Sequence, residues 1–141
     1  MGDVVVKEVG GCLCGLVRYS FDRDSVISAG HCHCTDCQKA TGSGKATIVL
    51  VPSDNLEMSG EYKIYSVIGS DGSHVSRGFC PACGSPIISF VKEQPEIKFI
   101  KAGSLDESSW VKVQASYWQI SAQYWDPVRS DVPGFEKNPL L

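Results

Sequence analysis

The chain contains no run of about 18 apolar residues, the least that a membrane-spanning helix needs, so no such helix is expected. It has no basic excess either: thirteen Lys and Arg stand against sixteen Asp and Glu, a formal net charge of −3. A nucleic-acid backbone, which attracts a strongly basic surface, is therefore not expected as the main partner. The opening residues, MGDVVVKEVGG, lack the basic n-region and apolar h-region of a secretory signal. Gly2 invites a check for N-myristoylation, but Val6 stands where that motif takes Ser or Thr. Internal repeats, low-complexity tracts and linkers are missing as well. These absences point to a cytosolic protein away from membranes, and 141 residues suit a single domain, 1–141, around one core. The hydrophobic content of 43% and charged content of 21% are those of a soluble globular protein.

What the chain has in excess is cysteine, seven in all, at positions 12, 14, 32, 34, 37, 80 and 83. Small buried hydrophobes would scatter, and these do not. Disulfides are disfavoured in a reducing cytosol, and the count is odd. The residues fall instead as C-x-C, C-x-C-x-x-C and C-x-x-C, the paired spacing of metal ligands.

Zinc in a structural site takes four ligands in a tetrahedron, commonly thiolates. FCPACG supplies Cys80 and Cys83 on a C-x-x-C turn whose free backbone N–H groups can bond the sulfurs. GGCLCG supplies Cys12 and Cys14, which in a strand share a face but need local bending to meet on one ion. Gly10, Gly11 and Gly15 provide that freedom. The two pairs together complete a four-thiolate site that closes a loop of about 70 residues. Cys32, Cys34 and Cys37 remain, in the stretch HCHCTDC. Three protein ligands and one exchangeable position are the pattern of a catalytic zinc. Zinc with four thiolates is electronically saturated, whereas with three it stays a Lewis acid that can bind and deprotonate an incoming thiol. His31 or His33 could close the second shell, although both alternate with Cys32 and Cys34 and so point away in extended backbone.

Most of the rest reads as short strands, giving a mainly β domain. LVRYSF (16–21) alternates, with Val17, Tyr19 and Phe21 on one face. KATIVLV (45–51), EYKIYSV (61–67), PIISFV (86–91), EIKFIKAG (96–103) and VKVQASYW (111–118) are further strand candidates. IGSDGS (68–73) has the composition of a hairpin turn. One short helix of about two turns is expected after the second cysteine cluster, with Thr35 and Gln38 forming a capping box and Gly42 terminating it. From Tyr124 onward the sequence reads as irregular, with an unpinned tail.

The stretches GGCLCGLVRY, HCHCTDCQKATGS and RGFCPACGSPI resemble three blocks of the glutathione-dependent formaldehyde-activating enzyme family, in the number and spacing of the cysteines and in the glycines around them. The resemblance runs over about positions 10–135. It implies an irregular, Mss4-like β-sheet domain built around zinc, a fold shared with a small Rab-binding exchange factor. It implies that Cys12, Cys14, Cys80 and Cys83 hold a structural zinc, and that Cys32, Cys34 and Cys37 hold a more labile one linked to catalysis. The implied reaction joins glutathione and formaldehyde to give S-hydroxymethylglutathione, a carbon–sulfur lyase chemistry, so the implied partner is a small thiol. Gln38 and Lys39 stand where adjacent arginines are common in the family, and QASYWQIS lacks a histidine often found there.

Other residues carry two readings each. Arg77 is either an anchor for an anionic substrate or a charge on a strand face, and Lys39 and Lys45 divide in the same way. Trp110, Trp118, Trp125, Tyr117 and Tyr124 are core aromatics or pocket walls. Thr41, Gly42 and Ser43 end the helix, and His74 reads as a surface strand residue. The rival function is a non-catalytic zinc module whose second cluster is also structural; a further one is redox sensing through Cys32, Cys34 and Cys37.

Overall fold

A computed structural model describes residues 5–138; Gly2, the residue queried for myristoylation, lies outside them. Ten strands and one helix follow in order: β1 (Lys7–Gly11), β2 (Arg18–Asp22), β3 (Ser28–Cys32), α1 (Thr35–Thr41), β4 (Ala46–Pro52), β5 (Glu57–Ser59), β6 (Lys63–Ile68), β7 (His74–Phe79), β8 (Pro86–Val91), β9 (Ile97–Lys101) and β10 (Ala115–Tyr117). They form a three-stranded sheet, β1-β2-β5, and a seven-stranded sheet, β10-β3-β4-β9-β8-β7-β6. Neighbours pair antiparallel except β10 with β3. The protein is thus mainly β with one short helix.

Strand alternation divides the faces of the large sheet. Ala29, Val49, Val51, Ile88 and Ile100 turn toward the small sheet and meet Val17, Tyr19 and Phe21 of β2 in one core. Phe21 is fully buried and lies 6.3 Å from the Trp110 ring in an edge contact. Its replacement by Ala should lower the free energy of urea unfolding by about 3–5 kcal/mol, the usual range for a buried Phe. An unchanged midpoint would place the core elsewhere.

Alternate residues face the other way. Cys32, Ile48, Leu50, Phe99, Lys101, Ser89 and Arg77 share the face that the small sheet leaves free. The register lines them up: Arg77 pairs with Ser89, Ser89 with Phe99, and Phe99 with Leu50 across four strands. This face positions the site.

Two expectations are corrected. The helix cap is Cys34 rather than Thr35, since the Cys34 sulfur accepts the Cys37 N–H at 3.2 Å. A side chain at the cap reaches the free amides of the first turn, and here that side chain is a thiol. Gly42 does end the helix, with a left-handed φ of 69°. The tail is irregular but pinned as far as Asn138. The Ser116 N–H donates to the Pro133 carbonyl, the Phe135 N–H to Ser116, and the Trp118 N–H to Lys137. Residues 139–141 lie outside the described part.

Candidate functional site

Cys12 and Cys14 sit on the turn that follows β1, and Cys80 and Cys83 on the turn that follows β7. The bending expected at Cys12–Cys14 is achieved by leaving the strand: the Gly15 N–H bonds back to the Cys12 carbonyl, with Gly15 at φ 83°. Cys12 Sγ lies 3.6 Å from Cys14 Sγ, and Cys14 Sγ lies 3.7 Å from Cys80 Sγ. A zinc tetrahedron with bonds of about 2.3 Å has S···S edges of about 3.8 Å, so the spacing fits that ion. A disulfide, at about 2.05 Å, is far from it. Amides also point at the sulfurs: Val17 N–H donates to Cys12 Sγ at 3.3 Å, and Ala82 and Cys83 N–H to Cys80 Sγ at 3.4 and 3.5 Å. Donors aimed at sulfur favour the thiolate. Accordingly, bonds from the Ser85 hydroxyl and amide hold the Cys83 thiol down to about 5.

The second cluster forms where β3 runs into α1. Cys32 ends the strand, Cys34 caps the helix and Cys37 is its buried first-turn residue, so three sulfurs converge within 4.8 Å of one another. The cluster therefore owes its geometry to the strand-to-helix turn itself. Hydrogen bonds from the Cys32 and Cys34 thiols hold the Cys37 thiol below its ordinary value; burial opposes this, and the charges of Lys101 and Arg77 add to it. Both cysteine groups are geometrically suited to hold a metal ion.

Both clusters border a cavity: Cys12 and Cys14 lie at one of about 770 Å³ whose wall includes Arg18, Asp106 and Ser104, and the second cluster opens on one walled by the free sheet face. A cavity of about 340 Å³ is lined by Cys32, Cys34 and Cys37, by the apolar side chains of Ile48, Leu50, Val75, Val91 and Phe99, and by Tyr117 and Trp118. Two cations enter it at the cysteine end. Arg77 Nη2 is 3.8 Å from Cys37 Sγ, and Lys101 Nζ donates to Ser89 Oγ at 3.1 Å. Burial lowers the Lys101 ammonium, while the charge of Cys37 works to raise it. The roof is a hydrogen-bonded strap. Trp118, at the uncommon φ of 58°, donates from Nε1 to Asn138 Oδ1 at 2.9 Å, and Asn138 Nδ2 donates to Asp71 Oδ2 at 2.7 Å.

The remaining sequence candidates divide clearly. Arg77 points at the cluster. Tyr117 and Trp118 line the cavity, and Trp110 packs on the core. Tyr124 and Trp125 do neither: they are exposed, on a short turn closed by the Asp126 N–H to the Gln123 carbonyl. Lys39 is exposed, and Lys45 pairs with Asp126 instead of the cavity. Gln38 Nε2 donates to the His33 and Ser121 carbonyls, a structural tie between α1 and the segment beyond β10. His31 and His33 turn away from the sulfurs. His31 Nδ1 bonds Thr47 Oγ1 at 2.9 Å, and burial pushes its imidazole down to about 4. His33 is fully buried with neither ring nitrogen partnered among the described residues. His74 is exposed at the start of β7 beside Glu93. Lys101 and Ser89 escaped the sequence reading. Their signal was present: Lys101 shares parity with Phe99 in β9, a lone cation on an otherwise apolar face.

Two sheets, seven cysteines drawn into two clusters that could each hold a metal ion and a cavity at the smaller cluster define the class, a cysteine-rich β protein. The particular family follows from direct comparison. Residues 7–121 match the model of the family described as glutathione-dependent formaldehyde-activating enzyme, and the chain belongs to that family. A crystal structure of a Rhodobacter sphaeroides protein, a structural genomics target, is similar with a TM-score of 0.55. The likeness covers 70% of this chain and 87% of that one at 21% identity, which shows the fold alone. No curated protein matches the chain.

Proposed function

We propose that the protein is a zinc-dependent carbon–sulfur lyase that joins a small thiol, glutathione, to formaldehyde and catalyses the reverse cleavage. The observation that carries this reading is the three-cysteine cluster at the end of a cavity, in a chain whose other four cysteines form a separate group with sulfurs spaced to suit one zinc ion. In this reading the domain is a single Mss4-like unit. Cys12, Cys14, Cys80 and Cys83 hold a structural zinc, and Cys32, Cys34 and Cys37 hold a second, labile one in the cytosol. Zinc with three thiolates supplies an exchangeable position and promotes loss of the proton from an incoming thiol.

The chain's own residues do the rest. Cys34 and Cys37 hold the sulfur end of the site against the first turn of α1, so the helix fixes the direction of approach. Arg77 offsets the negative charge that collects there. The apolar wall from β4, β8 and β9 excludes water from the new C–S bond, and the Trp118–Asn138–Asp71 strap covers the opposite side.

Metal analysis with an activity assay tests the reading. Purified protein should hold two zinc ions per chain, one released readily to a chelator and one retained. The two-zinc form should speed exchange between glutathione and its formaldehyde adduct, seen by magnetization-transfer NMR. Release of the labile ion should abolish the acceleration. Two equally inert ions and no acceleration would instead identify a non-catalytic zinc module.

A further inference from the structure

Two cations enter the cavity beside the three cysteines. They are Arg77 and Lys101, and neither pairs with a carboxylate among the described residues. Arg77 Nε is buried without a hydrogen-bond partner. Lys101 is held only by the Ser89 hydroxyl. A buried cation without a partner is costly, and a donor left free at a cavity wall is ready for a ligand. Register places the group deliberately, since Arg77 and Ser89 are directly paired and Lys101 lies on the adjacent strand.

Position decides what these donors meet. Arg77 Nη2 approaches Cys37 Sγ to 3.8 Å, so the cations lie beside the sulfurs and not at the far end of the cavity. The carboxylates of glutathione are at the ends of the tripeptide, many bonds from its sulfur. The carbonyl oxygen of an aldehyde undergoing addition is one carbon from that sulfur. We propose that Arg77, Lys101 and Ser89 form the oxyanion site of the reaction, receiving the aldehyde oxygen as the C–S bond forms. This rests on the function proposed above.

The step balances. The thiol releases its proton to water and enters as thiolate; a sulfur lone pair forms the C–S bond; the carbonyl π pair moves to oxygen. That oxygen, now an alkoxide held by the Arg77 and Lys101 N–H donors, takes a proton from water at the cavity mouth. The sum is thiol plus aldehyde to hydroxyalkyl thioether, and the reverse runs through the same contacts. Charged donors in an apolar wall act most strongly on charge that develops in the transition state.

Two glutathione conjugates test this without relying on turnover: S-carboxymethylglutathione, which carries an anionic oxygen near sulfur, and S-carbamoylmethylglutathione, its neutral counterpart. In titration calorimetry the wild type should prefer the acid by about tenfold, as expected for charge-assisted hydrogen bonds. Lys101→Met should reduce the preference to about twofold or less, with zinc content unchanged, and should lower kcat about tenfold while leaving the KM for glutathione in place. Arg77→Gln supplies the same comparison if Lys101→Met fails to fold. Equal binding of both conjugates by wild type, or a preference that survives in the variants, overturns the oxyanion site and leaves the glutathione reading standing. Loss of zinc from Lys101→Met with the preference intact also overturns it, because Lys101 would then serve the thiolates. If wild type binds neither conjugate, the glutathione reading fails and takes this proposal with it.

Discussion

Cys80→Ser is expected to leave no cooperatively folded protein. Cys80 is fully buried in the core cluster, and its sulfur accepts two backbone N–H bonds while standing 3.7 Å from Cys14. It joins two turns that belong to different sheets, the one after β1 and the one after β7. In the proposed structural site, metal binding is folding energy, about 10–16 kcal/mol for comparable four-ligand zinc sites. A domain of this size has a net stability of only about 5–15 kcal/mol. A serine hydroxyl is a poor zinc ligand, so the variant should lose the tightly held ion and most of this contribution. Tryptophan fluorescence in urea should show a broad, non-cooperative change where wild type gives a single transition, and metal analysis should find the retained zinc gone. A variant with an unchanged midpoint would mean that the two sheets hold together through apolar packing alone.

The sequence disclosed the chemistry of the site more readily than its surroundings. Val17, Tyr19 and Phe21 showed their shared face because β2 packs on one side only, where alternation survives. β4 has apolar residues on both faces, since Val49 and Val51 enter the core while Ile48 and Leu50 line the cavity, so its run reads as a strand without revealing two environments. β1, β3 and β7 carry Gly, Ser or His in place of β-branched runs, and their pairing comes from neighbours instead of local propensity. The Thr35 cap was misplaced for a related reason: a cysteine is a rare cap, and only the demand for a sulfur at that point puts it there. Arg77, Ser89 and Lys101 lie on three different strands, and no local pattern announces that pairing unites them. What spacing could convey was the division of cysteines into four and three. What it could not convey was that the group of three faces a cavity with two cations.

Cys34→Ser separates fold from function more sharply than any other single change. Cys34 has two duties on one atom: its sulfur caps α1 by accepting the Cys37 N–H, and it is one of three sulfurs in the open cluster. Serine performs the first duty well, being among the preferred N-cap residues, so stability should remain within about 1 kcal/mol of the metal-matched wild type. It performs the second poorly, since its hydroxyl does not ionise near neutral pH as a thiol can. Loss of a partner outside the coordination shell already costs zinc enzymes about 10–100-fold, so loss of a direct ligand should lower the rate of adduct exchange by at least about 100-fold. Zinc content should fall from two ions per chain to one, with the urea midpoint nearly unmoved. The pattern is the inverse of that expected for Cys80→Ser, although the two substitutions are chemically identical. If Cys34→Ser kept full exchange activity, the open cluster would not be where the C–S bond forms. If it unfolded like Cys80→Ser, both clusters would be structural, and the cavity beside the second would need another explanation.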